Sequence, residues 1–244
     1  MKLFEVRYPT LASIWALALV VGTSAAALAT PYVPPSGIGA PGRRESAGTR
    51  GCAFGNPASL IALMPTENIG LTANPYPRFY WYVPVSQAQF LEFTLSPMGA
   101  NGTVSDTPIY TTRLAVPEDA GIVSLELPET ANLPLLQAGD RYHWQVAAFC
   151  NPQSENGDLQ VQGWVEYQPP TAGLQSVLDV LSESDQASLY AQNGYWFDAV
   201  DHFATLNAAA PEDALLQTRW AELLLSVDLD TMVDQPLILT GTQN

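Results

Sequence analysis

Between Ser59 and Gln168, apolar and polar residues alternate in short runs broken by Gly, Pro and Asn, the pattern of half-buried strands. The runs are Leu60 to Met64, Phe79-Tyr80-Trp81-Tyr82-Val83 stopped by Pro84, Phe90 to Leu95, Ile109 to Leu114, Ile122 to Leu127 closed by Pro128, Tyr142 to Cys150, and Val161 to Tyr167. About seven strands at this spacing, with no helical period among them, predict an immunoglobulin-like or fibronectin-like β-sandwich. Alternation places Tyr142, Trp144, Val146, Ala148 and Cys150 on one face, with His143, Gln145, Ala147 and Phe149 on the other. The same rule turns Phe79, Trp81 and Val83 inward and leaves Tyr80 and Tyr82 on the opposite face.

The period changes after Pro169-Pro170-Thr171-Ala172-Gly173. Leu174, Val177, Leu178 and Leu181 follow helical spacing, and Ser182-Glu183-Ser184-Asp185 caps a second helix. A third carries Trp196, Val200, Phe203 and Leu206 on one stripe. Pro211 suits the first turn of a fourth, which turns Leu216, Trp220, Leu223, Leu224 and Val227 inward. Ala199, Phe203 and Pro211 have the spacing of the second helix of a tetratricopeptide repeat. A single repeat cannot bury its apolar face alone, so these helices are expected to pack on each other and on the strands, without a peptide-binding solenoid groove.

The amino terminus reads as a targeting segment. Lys2 and Arg7 precede the apolar stretch Leu11 to Val21, and Ala27-Leu28-Ala29 is a small-residue cleavage site. The expected organisation is a signal peptide at 1–29, a Pro/Gly-rich extended leader with an arginine arm at 30–51, a β-domain at 52–168, a small helical domain at 169–236 and a tail at 237–244. Export to the periplasm or the extracellular space follows. It also makes a Cys52–Cys150 disulfide the expected fate of the two cysteines, because that compartment is oxidising.

Composition narrows the function. Nine Lys plus Arg face 24 Asp plus Glu, a net charge of −15. Cleavage after Ala29 removes Lys2 and Arg7 against Glu5 and leaves a still more acidic chain with no lysine. Nucleic acid and anionic lipid both require a basic footprint and are excluded as main partners. Without lysine there is no Schiff base. The nucleophile elbow G-x-S-x-G is missing, and His143 and His202 have no companion ligands for zinc. No cofactor or metal is expected. The candidate binding residues are Arg43, Arg44 and Arg50, whose planar guanidinium forks suit an anionic partner group. Tyr80 and Tyr82 join them: they suit glycan or protein contact if exposed, and interdomain packing if the helices cover them.

Taken together, GRRESAGTRGC, FYWYVP, GIVSLELP, YHWQVAAFCNPQ, VQGWVEY and LYAQNGYWFDAV resemble a cyanobacterial family known as domain of unknown function 928, from about Pro41 to Pro236. Where that family carries several glycines in the first motif, this chain has Ser46-Ala47-Gly48. The resemblance implies an exported envelope protein and assigns neither activity nor site. The expected function is therefore a non-enzymatic binding or scaffolding module, with an envelope protein or glycan as partner. The alternatives are a carbohydrate hydrolase using paired carboxylates and a chaperone-like secretion accessory.

Overall fold

The computed structural model describes residues 31–37, 39–40, 44–46, 59–99, 101–129, 133–151, 153 and 157–238. The expected signal segment, Arg43, Arg50 and Cys52 lie outside the described residues. The fold is β-rich with helices. Its strands are β1 (Ile61–Ala62), β2 (Ile69–Thr72), β3 (Arg78–Val83), β4 (Phe90–Pro97), β5 (Tyr110–Leu114), β6 (Gly121–Glu126), β7 (Arg141–Phe149), β8 (Leu159–Tyr167) and β9 (Leu237–Ile238). The helices α1 (Ala172–Leu178), α2 (Glu183–Gln192), α3 (Trp196–Ala209) and α4 (Ala214–Leu225) come between β8 and β9.

One sheet has the order β1-β3-β6-β9 and the other β2-β8-β7-β4-β5. Both are antiparallel except for β2 on β8 and β9 on β6, which run parallel. The alternation read from sequence sets the layers. Phe79 and Trp81 project from β3 toward the second sheet, where the Phe79 ring centroid lies 5.3 Å from Trp144 and Trp81 stacks 6.3 Å from Phe93. Tyr80 projects the other way, and its hydroxyl donates to Asp201 of α3 at 2.7 Å. α3 therefore covers the outer side of β3 at Tyr80 while its first turn reaches β2 of the second sheet, and one buried cluster runs from strands into helices.

The seat of α3 is made by glycine and tryptophan. A Cβ on Gly70 would lie 2.6 Å from the Cβ of Trp196. Only glycine lets β2 approach the helix this closely. The Trp196 Nε1–H donates to the Leu63 carbonyl at 2.8 Å, so the largest buried side chain of the helix is also hydrogen-bonded.

Several expectations are corrected here. The start of the expected leader, at Tyr32 and Val33, is packed onto the helices. Tyr32 is buried with its ring 5.1 Å from Trp196, its N–H donates to Ser226 Oγ at 3.0 Å, and Val33 N–H donates to the Ala191 carbonyl at 3.1 Å. Burial of the Tyr32 ring outweighs the disorder that the surrounding prolines and glycines suggested. The expected tail contains β9, paired with Ile122 and Val123 of β6. Helix α4 begins at Ala214 with Asp213 as its cap, accepting from Leu215 and Leu216 N–H, so Pro211 sits in the preceding turn. Helix α1 buries only Leu178, and Val177 stays 47% exposed. Its apolar spacing overstated its packing. The cap at Ser182 and the buried stripe of α4 stand as expected.

Gly70→Ala should lower unfolding free energy in urea by about 1–3 kcal/mol, because the added methyl has no space against Trp196. Gly39→Ala, where a Cβ meets nothing within 4 Å, should leave it unchanged. Equal stability of both variants would contradict the close helix–strand seat.

Candidate functional site

The two sheets do not close along their whole length. Where β5 forms the edge of one sheet and β6 faces it from the other, a cleft of about 260 Å³ remains. Strand register identifies the inward residues. Trp81 pairs with Val123 across β3 and β6, while Leu91 and Phe93 of β4 pair with Leu114 and Thr112 of β5. The cleft is accordingly walled by Trp81, Val123 and Leu125 on one side and by Leu91, Tyr110, Thr112 and Leu114 on the other. The β5–β6 connection and Ile238 of β9 complete its rim. Tyr110, Thr112 and Leu114 are half-buried although they face inward, because β5 is the edge strand of its sheet among the described residues.

One residue of this apolar wall carries a polar atom that is itself enclosed. Trp81 is fully buried, and its Nε1–H has no hydrogen-bond acceptor among the described residues. A buried donor left without an acceptor is uncommon, since it forfeits its water without replacement. A second, more open depression of about 540 Å³ lies between α3, α4 and β9, with Asn207, Gln217, Asp234 and Gln235 giving it a mixed polar lining.

The described residues among those singled out from sequence lie elsewhere. Tyr80 and Tyr82 are each 2% exposed and form no surface platform. The helical layer covers the Tyr80 side of β3, as the packing alternative had it. Arg44 is not a free docking group: its guanidinium donates to the carbonyls of Met64, Val227 and Asp228. The carbonyls of Val227 and Asp228 lie in the turn past α4, where no helical N–H follows to occupy them, which leaves them open to a cation. Arg44 also belongs to a short bridge beside β1, its carbonyl accepting from Ala62 N–H at 2.7 Å. Cys150 follows β7, its N–H donating to Asp158 at 2.8 Å. The structure brings none of these residues to the cleft. The cleft residues on β5 were missed, though the sequence Tyr110-Thr111-Thr112-Arg113-Leu114 held a signal: polar Thr112 occupies an inward position.

A family model for a domain of unknown function, DUF928, matches residues 45–237. The chain belongs to the DUF928 family. No curated protein and no solved structure matches it. The DUF928 match contains every strand and helix up to the first residue of β9, and with them the whole cleft except Ile238. It starts one residue after Arg44, so Tyr32 and Arg44, which tie the amino-terminal segment to the helices, lie outside it.

The DUF928 core also holds a group of titratable residues at the seam between α3 and the strands. Arg78 bridges Glu126 on the neighbouring strand and Asp201 on α3. Asp198 is half-buried and accepts the Ala73 N–H at 2.8 Å. Desolvation pushes its carboxyl up to about 7, while the hydrogen bonds from Ala73 and Thr72 hold it down and the Asp201 charge raises it. Tyr190 is raised to about 12, first by burial and then by the Asp198 charge. A carboxyl near 7 invites a catalytic reading, but Asp198 joins α3 to the turn after β2 and lines neither cleft.

The raised Asp198 carboxyl sets a direction for pH dependence. Between about pH 4 and about pH 7 the folded chain holds a proton here that the unfolded chain releases, so this group's contribution to stability falls as pH rises through that window. Asp198→Asn removes the slope. Its melting temperature relative to wild type should be higher at about pH 8 than at about pH 5, and a pH-independent difference would contradict the shift.

Proposed function

We propose that this DUF928 protein is a non-enzymatic binding module of the bacterial envelope, exported to the periplasm or cell surface, with the open flank between its sheets as the binding site. The cleft carries this reading: it is concave and mostly apolar with few polar groups, the usual composition of a ligand site. Asp198 and Tyr80, both shifted upward first by burial, are engaged in holding α3 to the strands, which favours a structural role for them over acid–base chemistry.

An immunoglobulin-like reading of the β region is supported by strand order. With β1, β3 and β6 as strands A, B and E, and β8, β7, β4 and β5 as G, F, C and C′, the two sheets follow the immunoglobulin connectivity. The hydroxyl of Tyr142, at the start of β7, accepts the Gln137 N–H at 3.0 Å. That contact has the form of the tyrosine corner found before the penultimate strand of such domains. A tetratricopeptide-like reading of α2 and α3 is supported by the burial of Ala199 and Phe203 between paired helices. The module is thus an immunoglobulin-like sandwich braced by one helical hairpin and its neighbour.

Export would oxidise Cys52 and Cys150 to a disulfide, and no cysteine is free among the described residues. Closing a loop of about 100 residues would stabilise the fold by about 4–5 kcal/mol in the chain-entropy model.

The site is tested with N-phenyl-1-naphthylamine, an uncharged probe whose fluorescence rises in apolar surroundings. Mature protein should bind it saturably, and Leu114→Trp, which fills the cleft from its half-open wall, should weaken binding by roughly tenfold or more at unchanged melting temperature. Undiminished binding by the filled variant would move the site elsewhere. Separately, unreduced protein from the periplasm should weigh two hydrogens less than the dithiol and resist thiol labelling. Labelling of Cys52 in the native protein would refute the bridge.

A further inference from the structure

We propose that the depression between α3, α4 and β9 is a guanidinium site, held by side-chain amide oxygens and the Asp234 carboxylate. It is separate from the cleft and stands whether or not the cleft binds a ligand.

The polar groups of this depression are turned one way. Asn207, buried in the last turn of α3, donates Nδ2 to the carbonyls of Phe203 at 2.8 Å and Leu216 at 3.5 Å. Gln217 gives its Nε2 to the Pro211 carbonyl, and Gln235 gives its Nε2 to the Thr231 carbonyl at 3.2 Å. A carbonyl can only accept, so these bonds fix which end of each amide is the nitrogen. Each amide oxygen is left as an acceptor. The end of α3 adds one more, because residue 211 is proline and has no N–H to give the Asn207 backbone carbonyl.

Charge points the same way. Asp234 makes no ion pair among the described residues, and no basic residue lines the depression. Arg219 of α4 is engaged elsewhere, with Asp185 at 2.9 Å. On a chain with a net charge of −15, an unpaired carboxylate among amide oxygens repels anions and selects a cation rich in N–H donors. A saccharide would need an open aromatic face to lie on. Trp220, the aromatic residue of this lining, is 4% exposed and too enclosed to serve as one.

Shape decides between cations. The acceptors come from three segments: Asn207 from α3, Gln217 from α4, and Asp234 with Gln235 from the turn before β9. A planar guanidinium with its fork of N–H donors reaches several of them at once, and it gives up water more readily than an ammonium. The volume of about 540 Å³ leaves room for an alkyl stem against Val233 and Leu237.

The test is an NMR titration of the mature protein with N-butylguanidinium, N-butylurea and n-pentylammonium. The guanidinium should move the side-chain amide resonances of Gln217 and Gln235 saturably. The neutral urea, of nearly the same shape, should bind roughly tenfold or more weakly, with the ammonium between them. Asp234→Asn, at an exposed position, should weaken the guanidinium by roughly three- to tenfold. Ala208→Trp, which fills the depression from its exposed wall, should abolish binding, and both variants should keep the wild-type melting temperature. An end-blocked Gly-Arg-Gly peptide separates the sources. Binding at least as tight as that of N-butylguanidinium assigns the site to an arginine side chain of a partner, and weaker binding assigns it to a free small cation. Equal binding of the urea, an unchanged affinity in Asp234→Asn, or shifts spread over the acidic surface and kept in Ala208→Trp would overturn the site.

Discussion

Everything in this fold depends on how closely α3 can approach the strands. Trp196 occupies the meeting point of four segments: it donates to the Leu63 carbonyl, lies against Gly70, and takes the edge of the Tyr32 ring. The next residue, Phe197, sends its ring to within 5.3 Å of Phe79. Further along the helix, Asp198 and Asp201 fasten the turn after β2 and the Arg78–Tyr80 pair. A single helix thus contacts both sheets, with apolar burial along its length from Trp196 to Ala204 and polar fastening at Asp198 and Asp201. The apolar contacts supply the bulk of the driving force. The polar ones fix which turn of the helix meets which strand, because a shifted register would leave the Tyr80 hydroxyl without its acceptor Asp201.

This explains the asymmetry between the two flanks of the sheets. Near β2, Phe197 packs against Phe79. Near β5 no helix arrives, and the inward residues of that strand are Tyr, Thr and Leu, half-buried rather than fully enclosed. The aromatic packing that closes the centre, Phe79 with Phe93 and Trp144, reaches Trp81 and Tyr110 through Phe93 and ends there. The cleft is the consequence of a core that is dense where the helix supports it and thinner where it does not.

Much of the strand pattern was legible in the sequence because alternation is a local signal. The inward set Tyr142, Trp144, Val146 and Ala148 is buried as read, and so is Phe79, Trp81 and Val83. β2 and β9 were not legible, since Ile69-Gly70-Leu71-Thr72 and Leu237-Ile238 are too short to show a period and acquire strand geometry only from β8 and β6. Arg44 looked like a free cation because its acceptors are carbonyls 183 and 184 residues further along. α1 looked buried because periodicity reports which face would be covered, not whether anything covers it. The cleft was hidden for a related reason: Trp81 and Thr112 face one another only after two sheets stack.

The parallel strand β9 has a mechanical consequence. The chain leaves one sheet at the end of β8, passes through all four helices, and returns to the other sheet beside β6. At the opposite end, Tyr32 and Arg44 bind the chain near the end of α4. The helical layer is therefore a loop anchored at both feet and crossed by a strap. Pulling on either terminus, or trimming by an exopeptidase, meets hydrogen-bonded structure before it reaches a helix, so the layer cannot be peeled away one turn at a time. Its detachment is coupled to opening the sheets.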